Sequence, residues 1–182
     1  MPLLNTIATP YAEALLQVSE ARQDTDVVAE QVRSLLAVWS SSAELCAAMA
    51  SPVLEPDAKK AALAQLFDAQ LTPSLQNLLK LLADRQRIAI LDSILLRFLE
   101  LYRDLRNITL AQVTSAQPLS EEQQKVLNDK VQAIAGTQSV EFDLTVDPSL
   151  IGGFVVSMGS SVIDASLSGQ VRRLGLALTK VS

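Results

Sequence analysis

The chain contains no histidine and one cysteine, Cys46. The first absence excludes Ser/His/Asp and Cys/His catalysis and histidine-based zinc or haem sites. The second excludes an internal disulfide, which fits a reducing compartment. Aromatic residues make up only 4% of 182 positions, and there are 6 Gly and 7 Pro. A core must therefore be built from Leu, Val, Ile and Ala, and collagen-like or low-complexity architectures are excluded. Charge is not concentrated either: 15 Lys+Arg against 20 Asp+Glu leave a net charge of −5 with no long basic run. A nucleic-acid binder needs a basic face to neutralise phosphates, and this chain has little from which to make one. The Leu-rich run at 78–82 is interrupted by Lys80 and followed by Asp84, Arg85 and Arg87, short of the ~18–20 uncharged residues that span a bilayer. No basic region followed by an apolar block opens the chain, so no signal peptide is expected. The expectation is a soluble protein able to bind something that sits in a membrane.

Hydrophobic residues are 49% of the chain, and their spacing changes near residue 106. Up to that point it is helical. Ile7, Tyr11, Ala14 and Val18 form one stripe, and Val28, Val32, Leu35 and Trp39 form another. Ser42 opens a short helix with Leu45 and Met49 that ends before Pro52. Pro56 is placed as a first helical residue with Asp57 in the first turn, ahead of Leu63, Leu66 and Phe67. Thr72-Pro73 repeats that start signal, with Thr72 as N-cap. The last helix of this part carries Leu91, Leu95, Phe98, Tyr102 and Leu105.

Beyond Ile108 the period shortens. Ile108 to Val113 is a strand candidate, and a helix follows, opened by a capping box of Ser120 and Gln123 and ended at Gly136. Val140, Phe142, Leu144 and Val146 alternate with polar residues as a half-buried strand with one wet face. A turn at Asp147-Pro148-Ser149 leads to Phe154, Val156 and Met158, and a final helix has Leu167, Val171, Leu174 and Leu178 on one stripe. The expected fold class is α+β: an N-terminal six-helix antiparallel bundle over 1–105, followed by a small C-terminal α/β domain over 106–182.

Candidates for chemistry are few. Asp143, Asp147 and Asp164 are the carboxylates near the glycines of the second part, and a metal-using enzyme would have to be built on them. Strand alternation turns Asp143 to water, Asp147 starts a turn and Asp164 caps the last helix, which accounts for all three. Gly152-Gly153 lacks a following Gly-Lys-Ser/Thr and enters a strand, so a bulge or close backbone approach explains it better than a phosphate loop. Arg172-Arg173 reads as a solvated helix face, and Cys46 as a small buried hydrophobe. No catalytic, cofactor-binding or metal-binding residue is assigned.

Apolar surface is in surplus on two helices. Leu75, Leu79 and Leu82 form one face of the helix at 73–84, while Leu78 and Leu81 form a second; the first helix adds Leu15 and Leu16 to the stripe through Tyr11. Either these helices lie centrally and are buried all round, or they wall a groove for a partner's amphipathic helix.

Three segments resemble one family. Thr6-Ile7-Ala8-Thr9-Pro10-Tyr11-Ala12-Glu13-Ala14-Leu15 is similar to the first helix of the δ subunits of F-type ATP synthases, whose mitochondrial counterpart is the oligomycin-sensitivity-conferring protein. Asn77-Leu78-Leu79-Lys80-Leu81-Leu82-Ala83 with Arg87 resembles that family's fifth helix and the turn after it. Val146 to Val156, then Val162-Ile163-Asp164, Ser166, Gly169 and Arg173-Leu174, resemble its C-terminal signature. Thr9 departs from the pattern, since bacterial relatives often carry Arg there. The resemblance implies a non-catalytic stator subunit without cofactors. In such a subunit Tyr11, Ala14, Leu78 and Leu81 line a groove for N-terminal helices of the α subunits, and the second domain engages b-type peripheral-stalk subunits. It further implies one copy in a hetero-oligomeric complex on the cytoplasmic or stromal face of a plasma or thylakoid membrane. With no transit peptide in view, a bacterial, cyanobacterial or processed plastid protein is expected. The alternative is a helical adaptor in an unrelated complex.

Overall fold

Ordinary start and stop chemistry partitions the first part of the chain into helices. The structure, a computed structural model, describes residues 2–51, 53–67, 71–118, 120–135, 139–159 and 161–171. It contains α1 Pro2–Arg22, α2 Thr25–Ser41, α3 Ala43–Ala50, α4 Pro56–Phe67, α5 Pro73–Asp84 and α6 Leu91–Arg106, with a 3-10 turn at Ile88–Ile90. The Ser42 hydroxyl caps α3 by accepting from Leu45 N at 3.2 Å. Pro56 and Pro73 are the first residues of α4 and α5, where a missing N–H breaks no helical bond. Thr72 occupies the N-cap position of α5, but its hydroxyl makes no cap bond. Side chains hold that entry instead: Thr72 N donates to Gln31 Oε1 at 2.8 Å, and Gln76 Nε2 donates to Leu71 O at 3.1 Å.

α1 and α5 end alike. Gln23 and Gln86 take left-handed φ values of 57° and 53°. Gln23 N donates to Glu20 O at 3.0 Å and Asp24 N to Ser19 O at 3.1 Å; Gln86 N donates to Ala83 O at 3.0 Å and Arg87 N to Leu82 O at 2.8 Å. Each pair is a Schellman closure with glutamine where glycine is usual, and it returns the last carbonyls to backbone partners.

Val28, Val32, Leu35 and Trp39 of α2 are buried as their spacing predicts, and so are Leu91, Leu95, Phe98 and Tyr102 of α6; Leu105 at its end is exposed. Phe98 stacks on Tyr102 with ring centroids 6.5 Å apart, and the Tyr102 hydroxyl donates to Asp26 Oδ1 at 2.9 Å. That bond ties α6 to α2. On α4, Leu63 and Phe67 are buried while Leu66 is exposed.

The chain divides into two compact units, Met1–Asp104 and Leu105–Ser182. In the second, β1 Ile108–Ser115, β2 Ser139–Val146, β3 Phe154–Met158 and β4 Ser161–Asp164 form one sheet in the order β2-β1-β3-β4. β1 and β2 are parallel, pairing Ile108 with Ser139 through Ser115 with Val146. Parallel neighbours need a long crossover, here containing α7 Glu121–Ala135. The capping box is present: Ser120 N donates to Gln123 Oε1 at 3.0 Å and Gln123 N to Ser120 Oγ at 3.3 Å. β3 runs antiparallel to both β1 and β4. Ala111, Val113, Leu127, Val131, Val156 and Met158 form the buried core, with Val140 and Phe142 packed against it. Leu144 and Val146 remain exposed, so only the first half of β2 is the half-buried strand its alternation predicts. β4, four residues long, was not legible as a strand. Residues 167–171 are helical; Gly136, Arg172, Arg173, Leu174 and Leu178 lie outside the described residues. The α+β expectation holds, with helices first and a mixed sheet in the second unit.

Candidate functional site

Two of the three candidate carboxylates of the second unit, Asp147 and Asp164, hold turns. Asp143 is exposed. Asp147 Oδ1 accepts from Ser149 N at 2.9 Å, and the hydrogen bonds from the Ser149 side chain and backbone hold its carboxyl below the ordinary 3.8. Asp164 Oδ1 accepts from Ser166 N at 3.0 Å and from Ser166 Oγ at 2.6 Å. Ser166 is the cap, its hydroxyl accepting from Gly169 N at 3.0 Å. A Cβ on Gly169 would run into the Asp164 carboxylate, and one on Gly153, at φ 82°, would meet the Ala165 carbonyl. Gly152-Gly153 and Asp164 are thus parts of one close backbone approach, sealed by Leu167 N donating to Gly152 O at 2.9 Å. Among the described residues, no group of three or more His, Cys, Asp or Glu is placed to hold a metal ion.

In the helical unit, the surplus apolar surface resolves into an inside and an outside. The buried face of α1 is Ala8, Ala12, Leu15 and Ser19. The stripe singled out by spacing lies outside: Ile7 is 46% exposed, Val18 44%, Ala14 is exposed and Tyr11 half-buried. Small alanines let helices approach closely, and hydrophobic pattern alone does not rank them above Ile or Val. α5 packs against α1. It buries Leu75, Leu78, Leu79 and Leu82, and leaves Leu81 44% exposed. Of the four residues expected to line a groove, Ala14 and Leu81 are open, Tyr11 is partly open and Leu78 belongs to the packed face.

A hydrogen bond joins α1 to the turn after α5 at that surface. Arg87, exposed and just past the end of α5, donates from Nη1 to the Tyr11 hydroxyl at 2.9 Å. No sequence signal announces this contact between residues 11 and 87. Nearby, Lys60 Nζ lies 2.8 Å from both Asp57 Oδ1 and Asp84 Oδ1, joining α4 to α5. The hydrogen bonds to Asp57 and Asp84 push the Lys60 ammonium pKa well above its ordinary range.

Cys46 is half-buried, not fully buried, and its thiol donates to Trp39 O at 3.1 Å. It lines an open cleft of about 740 Å³ with Leu36, Trp39, Ala50, Ala89 and Leu96. No helix among the described residues is long and apolar enough to cross a membrane.

Residues 7–178 match the family model described as ATP synthase delta (OSCP) subunit. The chain is 66% identical over 182 residues to ATP synthase subunit delta of Synechococcus sp. (strain CC9311), covering all of both chains. It is likewise 66% identical over 181 residues to ATP synthase subunit delta, organellar chromatophore, of Paulinella chromatophora, again with full coverage of both. Its fold matches a chain in the Toxoplasma gondii mitochondrial ATP synthase hexamer with a TM-score of 0.73, at 23% identity over 94% of this chain and 97% of that one.

Proposed function

The chain belongs to the ATP synthase delta (OSCP) subunit family, and on that premise we propose that its helical unit receives an N-terminal helix of an α subunit in a groove between α1 and α5. It is a non-catalytic subunit of the peripheral stalk of F-type ATP synthase, a membrane-associated complex. Membership disfavours an adaptor in an unrelated complex. We read α1 to α6 as an antiparallel bundle seated on the catalytic head, and the second unit as the part that engages the b-type stalk subunits. One copy per complex, on the cytoplasmic or stromal face of a plasma or thylakoid membrane, resists the torque of the rotor.

The observation that carries the groove is the exposed stripe Ile7, Ala14 and Val18 on α1 together with exposed Leu81 on α5. An amphipathic helix laid there would bury apolar side chains that water now wets. Tyr11 supplies an aromatic anchor, and small Ala14 permits close approach. Truncating such an anchor costs ~2 kcal/mol or more, about a thirtyfold loss of affinity. Tyr11→Ala should weaken binding of a synthetic α-subunit N-terminal peptide by that factor while the circular dichroism and melting of the chain stay close to those of the parent. Thr9→Ala should change binding much less. A Tyr11→Ala chain that binds the peptide as the parent does sinks the reading; one that unfolds shows Tyr11 to be core.

A further inference from the structure

We propose that the outer edge of β2 takes an added β-strand from a stalk subunit, an extended segment in which apolar and basic residues alternate. The proposal rests on the reading that the second unit engages the stalk, and adds how that contact is made.

The topology leaves β2 with one neighbour. It ends the order β2-β1-β3-β4, and its register with β1 runs unbroken from Ser139 to Val146. An edge strand turns a row of backbone N–H and C=O groups outward, where another backbone or water must satisfy them. Among the described residues no strand pairs with that side of β2.

Sheets commonly close such edges by shortness, proline, lysine or a bulge. The opposite edge, β4, is only four residues long. β2 has eight residues without proline, lysine or glycine, and its one-to-one register with β1 leaves no bulge. Its charges are Glu141 and Asp143, both negative. They act against a second copy of the chain. An antiparallel β2 pair about a two-fold axis keeps each face continuous, so the numbers of paired residues add up to an even sum. The two registers that pair seven of the eight residues then set Glu141 opposite Asp143, or Asp143 opposite itself. Like charges directly opposite each other destabilise such a pair. The same charges favour a strand that brings Lys or Arg to those positions.

The other face of β2 supplies the apolar half of the pattern. Val140, Phe142, Leu144 and Val146 share it. Val140 and Phe142 pack against the core, while Leu144 and Val146 are 46% and 48% exposed. An added strand extends this face and lays apolar side chains beside Leu144 and Val146. Its alternate residues then stand beside exposed Asp143 and Thr145. A helix could cover Leu144 and Val146, but it would leave the outward N–H and C=O groups of β2 to water. Only an extended segment uses the face and the edge together.

The test titrates the full chain with purified b-type stalk subunits and follows amide hydrogen exchange in β2, free and bound. The free chain should be a monomer in which the outward amides of β2, every second residue, exchange fast. Binding should slow them roughly tenfold or more. Asp143→Lys should weaken binding roughly threefold or more at low salt and less at high salt, with the melting temperature of the free chain unchanged. Asp143→Asn should fall between it and the parent. Strand addition is overturned if the stalk subunits bind and exchange in β2 stays as in the free chain; the stalk reading then stands alone. It is equally overturned if Leu144→Ala weakens binding while Asp143→Lys does not, which is the mark of a helix on the apolar face. A free chain that dimerises with β2 protected makes a second copy the occupant and also refutes it. Failure of the stalk subunits to bind the parent chain removes the stalk reading and the added strand together.

Discussion

Two alanines a short step apart on α1 should respond in opposite ways to the same substitution. Ala12 has no exposed surface, whereas Ala14 lies on the open stripe. Leucine adds three carbons to either. At Ala12 they have no space to enter, so the helices must separate or a side chain must leave its rotamer, and overpacking of this kind typically costs ~1–3 kcal/mol. For a unit of roughly a hundred residues each kcal/mol lowers the melting temperature by ~4–8 °C, so Ala12→Leu should melt about 5–20 °C below the parent. At Ala14 the added carbons meet water, and Ala and Leu are close in helix propensity, so the change should stay within ~0.5 kcal/mol. The same carbons stand where a partner helix would approach, and a clash of ~1–3 kcal/mol means roughly a five- to hundredfold loss of peptide affinity. Thermal melting by circular dichroism and peptide titration of the two variants separate these effects. Equal destabilisation by both would refute the assignment of α1 faces, and so would an Ala12→Leu chain as stable as the parent.

Other outcomes follow from particular contacts. Phe98→Ala removes a ring with no exposed surface stacked on Tyr102, and should lower the unfolding free energy by ~3–5 kcal/mol in urea titrations. Gly169→Ala drives a Cβ into the Asp164 carboxylate and should lower stability by ~1–3 kcal/mol; a neutral result would mean that Asp164 swings away freely. Asp147 has a carboxyl pKa below its ordinary 3.8 because of Ser149. Its contribution is therefore present above pH 3.8 and lost as pH falls through the lowered value, so Asp147→Asn should flatten the acid limb of a stability–pH curve and leave its slope near neutrality unchanged. A fragment of residues 1–105 should show a helical spectrum and a cooperative melt of its own, and failure to fold would mean that the rest of the chain completes its core.

Much of the architecture was legible because it depends on local chemistry. The spacing of Val28, Val32, Leu35 and Trp39 marks one stripe of one helix, and the structure buries all four. Ser120 and Gln123 cap each other within a single turn, so their bond needed nothing distant. β4 was missed because Ser161–Asp164 is too short to show alternation, and it is a strand through its pairing with β3. The cap bond that the structure shows runs through Ser166, which Asp164 holds, because Asp and Ser are both good caps and their division of labour depends on the exact point where β4 releases the chain.

By itself, then, the sequence determined where the helices and every strand but β4 lie, that no histidine-, disulfide- or P-loop-based chemistry is available, and that apolar surface exceeds what one stripe per helix requires. Only the tertiary structure decided which of that surface is inside. α1 is apolar on more than one side, so its own pattern leaves two faces eligible, and the packing of α2 and α5 against α1 leaves the side of Ala8 and Ala12 covered. The same choice buries Leu78, exposes Leu81 and brings Arg87 to Tyr11 across 76 residues of chain. Periodicity reports how a segment can be amphipathic; which face is covered is settled by the shape of its neighbour, and no local pattern carries that information.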